Sequence, residues 1–285
     1  MTSQVMDRAP PLRYGSVMSA TSQPVGDLLR DWRQRRRLSQ LDLASEAEIS
    51  TRHLSFLETG RSQPSREMLL RLAEQLGIPL RERNVLLTAA GFAPVFAERR
   101  LDDPALASAR KAISLVLAGH EPYPALAVDR HWHLVDANAG VTRLMAGADE
   151  SLLRPPINVL RLSLHPKGLA PRIANLGEWR AHLLARLHRQ IELTADPVLA
   201  DLLRELSAYP KPTTARPPRP VRDYHSEIVV PLQLIAGAQT LTLFSTTTIF
   251  GTPVDITLSE IAIEAFFPAD AQTADALRQM AATPG

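Results

Sequence analysis

Apolar residues recur every three or four positions from Val25 to about Ala90, the period of amphipathic helices. Serines that suit helix N-caps and glycines that suit helix ends divide this pattern into short pieces. It predicts five helices, at about 25–36, 40–46, 51–58, 65–77 and 81–90. We therefore predict an all-α domain over residues 24–92, preceded by a disordered tail over residues 1–23, which is rich in Ser, Thr, Pro and Gln.

The second and third predicted helices form a helix-turn-helix unit, because only a four-residue turn separates them. Ala44 is small enough for the two helices to cross, and apolar residues that close the corner follow at Leu43, Ala47, Ile49, Leu54 and Leu57. The exposed face of the third helix then mixes hydrogen-bond donors, acceptors and an aromatic ring. Such a face suits base edges in a major groove.

The hydrophobic pattern changes after residue 94. It predicts a linker with a connecting helix over 93–119, two short strands at 125–129 and 132–136, and mainly helices over 157–208. A proline-rich loop at 209–220 precedes three strands, at 226–235, 240–248 and 255–266, and a last helix at 271–281. This order predicts an α+β domain over residues 120–285 with a five-stranded antiparallel sheet.

The net charge is informative only when residues 1–100 are compared with the rest of the chain. The 285 residues carry 32 Lys and Arg against 30 Asp and Glu, a net charge of +2 that alone argues against nucleic-acid binding. Residues 1–100 hold 15 Arg and 11 acidic groups, a net of +4, which leaves −2 for the rest. Five arginines fall within Arg30–Arg37, beside the helix-turn-helix unit. Such a run is either a solvated helix face or a polyanion contact, and its position favours the contact.

Several classes of function lack the residues they need. The chain has no cysteine, and no apolar stretch reaches the ~18 residues of a membrane span, so we expect a cytoplasmic protein without a membrane partner. Nucleophile-elbow, phosphate-loop and zinc-protease motifs are missing, so neither an enzyme nor a cofactor is predicted. His131 and His133 are two residues apart and could project from one strand face, but spacing places no third ligand, and no metal site is predicted. Arg186 and Gln190 are four residues apart on a predicted helix, and we expect them to form a surface pair.

The chain resembles the Xre or phage-repressor (lambda-repressor-like) helix-turn-helix family in three stretches. These are residues 39–60, Arg61-Ser62-Gln63-Pro64-Ser65 and residues 69–73. Glu48 stands in the turn where that family usually has glycine. The resemblance implies a double-stranded DNA operator, and a homodimer, because one recognition helix reads too few bases. It places Gln40 at phosphate or an adjacent base, and Arg61 and Ser62 at phosphate. Thr51, Arg52 and His53 are expected at base edges, with Ser55 and Phe56 nearer the groove margin. The expected DNA-binding set is Arg36, Arg37, Gln40, Ser50, Thr51, Arg52, His53, Ser55, Phe56, Arg61 and Ser62.

Residues 120–138 and 158–165 resemble a second family, the PAS-like, MmyB-like ligand-binding domain that follows Xre-type helix-turn-helix domains. This resemblance implies a small, largely apolar, fatty-acid-like effector. The candidate cavity residues are Tyr123, Trp132, Asn138, Arg161, His165 and Phe244. For Tyr123 and Trp132 the alternative is a place in the core, and for Asn138 a helix cap. The alternative functions are a DNA-tethered enzyme and a domain that only dimerises or binds a partner protein.

Overall fold

The computed structural model describes residues 23–210, 230–251, 253 and 255–282. All five predicted N-terminal helices form. They are α1 (Val25–Arg35), α2 (Gln40–Glu46), α3 (Thr51–Glu58), α4 (Arg66–Gln75) and α5 (Leu80–Ala89). Ser39, Ser50 and Ser65 each accept a hydrogen bond from the amide three residues on, so local capping fixes where α2, α3 and α4 begin.

The helices pack around one apolar core. The most deeply buried side chains include Leu29, Leu43, Leu54, Leu57, Leu69, Leu72, Leu86 and Leu87. Helix α1 crosses the end of α3 at Gly26, where a Cβ atom would lie 2.4 Å from the carbonyl oxygen of Leu57. Only glycine permits this approach, which places α1 directly against the predicted recognition helix.

The rest of the described chain is the predicted α+β domain. A 3₁₀ turn (Pro104–Leu106) leads into the connecting helix α6 (Ala107–Gly119). The strands are β1 (Ala125–Val128), β2 (Leu134–Ala137), β3 (Leu232–Ala236), β4 (Gln239–Ile249) and β5 (Ala262–Pro268). The longer helices between and after them are α7 (Ala139–Met145), α8 (Val159–Leu164), α9 (Leu176–Thr194), α10 (Pro197–Ala208), α11 (Ile256–Ser259) and α12 (Ala271–Ala282).

Within the described residues the five strands form one antiparallel sheet in the order β2-β1-β5-β4-β3. This confirms the predicted fold class. Strand β1 shows how the sheet divides the domain, because alternate side chains point to opposite faces. Leu126 and Val128 belong to the main core under α7–α10, whereas Ala125 and Ala127 face α6.

Three predicted strands begin later than expected, and the one predicted at 226–235 begins at Leu232. The strand predicted at 255–266 opens instead with α11, because the carboxylate of Asp255 accepts the amide of Thr257 and caps a helical turn. The strand predicted at 132–136 begins at Leu134, since Trp132 takes a left-handed turn conformation at φ 67°. The tail 1–22, the loop segment 211–220 and residues 226–229 of a predicted strand lie outside the described residues.

The N-terminal helices dock on the C-terminal domain through a contact that we call the joint. Arg81 of α5 forms two hydrogen bonds to Glu260, of 2.8 and 3.0 Å. The linker between the domains adds a backbone bond, in which the amide of Ile256 donates to the carbonyl of Ala97 at 2.8 Å. Among the helices that the structure describes, none is long and apolar enough to span a membrane.

Candidate functional sites

The exposed face of α3 gathers two arginines around one aromatic ring. Leu54 and Leu57 anchor the helix in the core, which leaves Arg52 exposed. The guanidinium of Arg52 lies 5.3 Å from the ring centroid of Phe56, and that of Arg61 lies 5.9 Å from the same ring. These cation–π contacts hold both charges on one surface while their hydrogen-bond donors stay accessible.

The remaining predicted DNA-binding residues of α3 lie beside that cluster. Ser50 caps the helix by accepting the amide of His53 at 3.1 Å. Thr51, His53 and Ser55 are partly exposed. The amide of Ser62 donates to the carbonyl of Phe56 at 3.2 Å, which folds the segment after α3 back toward the ring.

Glu58, at the end of α3, holds that helix in place. It is 1% exposed, and its carboxylate accepts bonds from Arg33 at 2.6 and 2.8 Å and from Gln40 at 2.9 Å. Burial alone would raise the pKa of Glu58, but these bonds and the charges of Arg33 and Arg30 lower it overall. Gln40 is therefore engaged within the domain, and two of the five clustered arginines, Arg30 and Arg33, bind Glu58 of α3.

Arg36 lies at the joint. Its guanidinium donates to the carbonyls of Leu76 at 2.7 Å and Gly77 at 3.1 Å, at the end of α4. It also donates to the carbonyl of Leu193, in the last turn of α9, at 3.1 Å. Arg37, the next residue, is exposed. Arg36 and Arg37 were both expected at DNA, and Arg36 is thus occupied by contacts within the protein.

The C-terminal domain contains an apolar cavity of about 100 Å³ between the sheet and helices α7–α9. Its lining is mostly aliphatic and aromatic, and includes Leu126, Val141, Leu144, Leu160, Leu183, Leu232, Leu234, Trp132, Trp179 and Phe266. The polar side chains that reach it are Ser163, Arg186, Ser245 and Glu264. This composition, apolar with a few polar groups, is that of a small-molecule site.

The two charges at the cavity neutralise each other. Arg186 of α9 binds both carboxylate oxygens of Glu264, which is 4% exposed, and Thr247 joins them through its hydroxyl. The guanidinium also lies 4.6 Å from the ring centroid of Trp132. Arg186 and Gln190 are therefore not the predicted surface pair, because Gln190 accepts the indole proton of Trp132 at 2.8 Å.

Trp132 is the predicted ligand residue that the structure places in the cavity wall. Tyr123 is partly buried against the main core. The side chain of Asn138 is a structural hub: it accepts the amides of Ala125 and Val141, and it donates to the carbonyl of Tyr123. The bond from Val141 is the predicted helix-cap alternative, since it caps α7, and the other two bonds tie that cap to β1 and the segment before it.

The other three predicted ligand residues lie away from the cavity. Arg161 pairs with Glu205 through two bonds of 2.7 Å, and His165 packs edge-on against Tyr209, 5.1 Å between centroids. Phe244 stacks on another phenylalanine on the opposite face of the sheet from its neighbour Ser245. Sequence reasoning missed Ser245, Arg186 and Glu264. The apolar pattern carried no signal for Glu264, because apolar residues cover both faces of β5.

Comparisons with known proteins agree with both halves of this description. Residues 109–280 match the family model "MmyB-like transcription regulator ligand binding domain", and residues 29–83 match the family model "Helix-turn-helix". The chain is 46% identical over 54 residues to HTH-type transcriptional regulator DdrOP3 of Deinococcus deserti. That alignment covers 19% of this chain and 42% of the relative, so the chain spans less than half the length of that protein.

Two solved structures show weaker likeness. The clp gene regulator ClgR from Corynebacterium glutamicum is 27% identical, with a TM-score of 0.22 over 35% of this chain and 94% of its own. An RNA-binding Light-Oxygen-Voltage receptor is 13% identical, with a TM-score of 0.24 over 98% of this chain and 70% of its own. Both scores are too low to support an argument. The family match covers more than half of the sequence, and the chain belongs to the transcription regulators that carry an MmyB-like ligand binding domain behind a helix-turn-helix domain.

Proposed function

We propose that this protein is a sequence-specific regulator that reads double-stranded DNA with α3. The observation that carries the proposal is the cluster of Arg52, Phe56 and Arg61, which presents two cations on the exposed face of a capped helix. Thr51, His53 and Ser55 would read base edges beside it, and Arg61 would bind phosphate. We propose a homodimer, whose two recognition helices would occupy half-sites ~34 Å apart.

The test compares two arginines after operator sequences have been selected from a random DNA library. Arg52→Ala is expected to weaken the selected sites by ~1–3 kcal/mol and to relax their sequence preference. Arg61→Ala is expected to weaken all sequences alike and to reduce the salt dependence. Arg204→Ala, at an exposed position of α10, is the control. Unchanged affinity in both test variants would refute the interface.

We propose further that the cavity of the C-terminal domain takes a small, largely apolar, fatty-acid-like effector. Its aliphatic lining supports an apolar tail, and Arg186 with the hydroxyls of Ser163 and Ser245 supports a polar head. At about 100 Å³ the cavity is smaller than the ~300–1,000 Å³ of typical ligand pockets. An effector must therefore enlarge it, and Met145 in the wall has the flexible side chain to allow this.

Glu264 already neutralises Arg186, so the head group can be tested directly. Decanoic acid must share Arg186 with Glu264, whereas decanol need not. Native mass spectrometry and thermal shift with both compounds would show binding and the preferred head. Val159→Phe, in the cavity wall, is expected to reduce binding, while Val198→Phe at an exposed site of α10 is the control. If neither compound binds and none co-purifies, the alternative of a dimerisation or partner-binding domain is favoured.

Helix α9 offers a physical route from effector to DNA. Leu183 and Arg186 line the cavity, and two turns further on the carbonyl of Leu193 binds Arg36 of the N-terminal domain. An effector changes DNA affinity only if it binds two arrangements of the joint with different affinity. The family is not typically enzymatic, and we propose no catalytic role for the second domain.

A further inference from the structure

The turn between β1 and β2 brings together three side chains that the proposed function does not use. One ring nitrogen each from His131 and His133 and a carboxylate oxygen of Asp129 lie within 4.8 Å of one another. All three residues come from one five-residue segment, and the sequence pattern had offered only the two histidines. The left-handed backbone of Trp132 between them shapes the turn.

The cluster is held in place before any ion arrives. The second carboxylate oxygen of Asp129 accepts the backbone amides of His131 and His133, both at 2.8 Å. The Nδ1 atom of His133 lies 3.0 Å from Oδ2 of Asp129. Two neighbouring ligands that each lie about 2.1 Å from one ion would be separated by roughly this distance. No large movement is needed for both to bind the same ion.

His131 carries the outer-shell contact that metal-binding histidines usually have. Its Nε2 atom lies 2.8 Å from the carboxylate of Asp196, which leaves Nδ1 as the ring nitrogen available for an ion. A carboxylate on the far nitrogen fixes the tautomer and makes the imidazole a stronger ligand. Asp196 is itself fixed, because it caps α10 by accepting the amide of Val198.

We propose that Asp129, His131 and His133 bind one divalent transition-metal ion of the Zn²⁺ or Ni²⁺ type. Two imidazoles with one carboxylate suit such ions, whereas Mg²⁺ and Ca²⁺ prefer oxygen ligands alone. Three protein ligands leave coordination positions for water. The side chains of His131 and His133 are 17% and 30% exposed, so an ion can reach them from solvent.

The proposed metal site lies close to the contact between the two domains. Asp196 follows Ala195, which packs against the core of the N-terminal domain. An ion bound to His131 would therefore fix the corner between α9 and α10, where the C-terminal domain meets the joint. This proposal does not depend on the effector or on DNA recognition, since metal binding is measured without either.

The test is a titration of tag-free full-length protein, dialysed against a chelator, with ZnCl₂, and with MgCl₂ as the ion control. One Zn²⁺ per chain is expected, with ring-proton shifts of His131 and His133 by NMR and no saturable Mg²⁺ binding. His133→Gln should remove the site, and Asp196→Asn should weaken it by ~10–100-fold while keeping the helix cap. His188→Gln, an exposed histidine on α9, should bind Zn²⁺ like the parent.

Three outcomes would overturn the proposal. These are an absence of saturable Zn²⁺ binding, binding that persists unchanged in His133→Gln, and NMR shifts confined to other histidines. Thermal melts of the apo variants establish that each is folded, so loss of Zn²⁺ binding in a folded His133→Gln variant is direct support.

Discussion

Glu58→Gln is expected to loosen the recognition helix without removing any group that faces DNA. The side chain of Glu58 is fully buried, and Arg33, which binds both its oxygens, is 11% exposed. Breaking such a buried pair from one side costs ~3–5 kcal/mol, because the arginine loses its counter-charge. Glutamine keeps the shape and one acceptor, so we expect a value near the lower limit, about 3 kcal/mol.

Hydrogen exchange of the full chain measures this loss within α3. Where exchange reports the local opening equilibrium, 3 kcal/mol accelerates the protected amides of α3 by about 150-fold. Glu46→Gln on the exposed side of α2 is the matched control and should change stability by less than about 0.5 kcal/mol. An acceleration below about tenfold in Glu58→Gln, or an equal effect in both variants, would refute the anchoring role.

The same contact predicts an acid dependence. The pKa of Glu58 is lowered from its ordinary value of 4.5, so the stability it contributes is fully present above that pH. It is lost as the pH falls through the lower pKa of the folded state. The parent should therefore lose protection in α3 below about pH 4.5, and Glu58→Gln should lose less over the same range.

Three other substitutions test the turn and the joint. Glu48 has a φ of 55°, so Glu48→Gly should raise stability by up to about 1 kcal/mol in thermal melts, and a decrease would refute the strain. Burial raises the pKa of Glu82 at the joint, reinforced by Asp196 and opposed by Arg130 and Arg81. The charged form of Glu82 is therefore disfavoured in the fold, and Glu82→Gln should stabilise the protein at neutral pH but not at acid pH, as melts across pH would show. Arg36→Ala should increase exchange at the end of α9 while the DNA affinity of the effector-free protein stays nearly unchanged; a general loss of DNA affinity would instead indicate a phosphate contact.

The features that could be predicted from sequence are those whose causes are local. Ser39, Ser50 and Ser65 cap helices through amides three residues away, so the starts of α2, α3 and α4 follow from the sequence alone. The alternation in β4 likewise depends on its own residues. Asp255 is an exception, because its cap of α11 reaches only two residues on to Thr257 and was still concealed by the period-two apolar pattern. Its pairing with Arg99, 156 residues away, is a contact that no local pattern reveals.

The candidate sites depend on pairs that are distant in sequence. Arg33 and Glu58 are 25 residues apart, and Arg186 and Glu264 are 78 apart. A run of arginines predicts positive charge near DNA, but it does not show which arginines form contacts within the protein instead. Arg33 meets Glu58 because α1 packs across α3 at Gly26. Glu264 meets Arg186 because the sheet order places β5 beside α9. The sequence therefore predicted which residues of α3 are exposed, but not most of the residues that line the cavity.

The geometry of α9 restricts how the cavity can communicate with DNA. A continuous helix transmits displacement along its length, since its hydrogen-bonded turns resist compression. Widening the cavity against Leu183 would move α9 as a unit, and the carbonyl that Arg36 binds would move with it. Arg81 and Glu260 hold the other side of the joint, so the N-terminal helices would pivot about that pair rather than separate. Effector response should accordingly appear as a change in the spacing that a dimer prefers between half-sites, at nearly constant affinity of each α3 for its own bases.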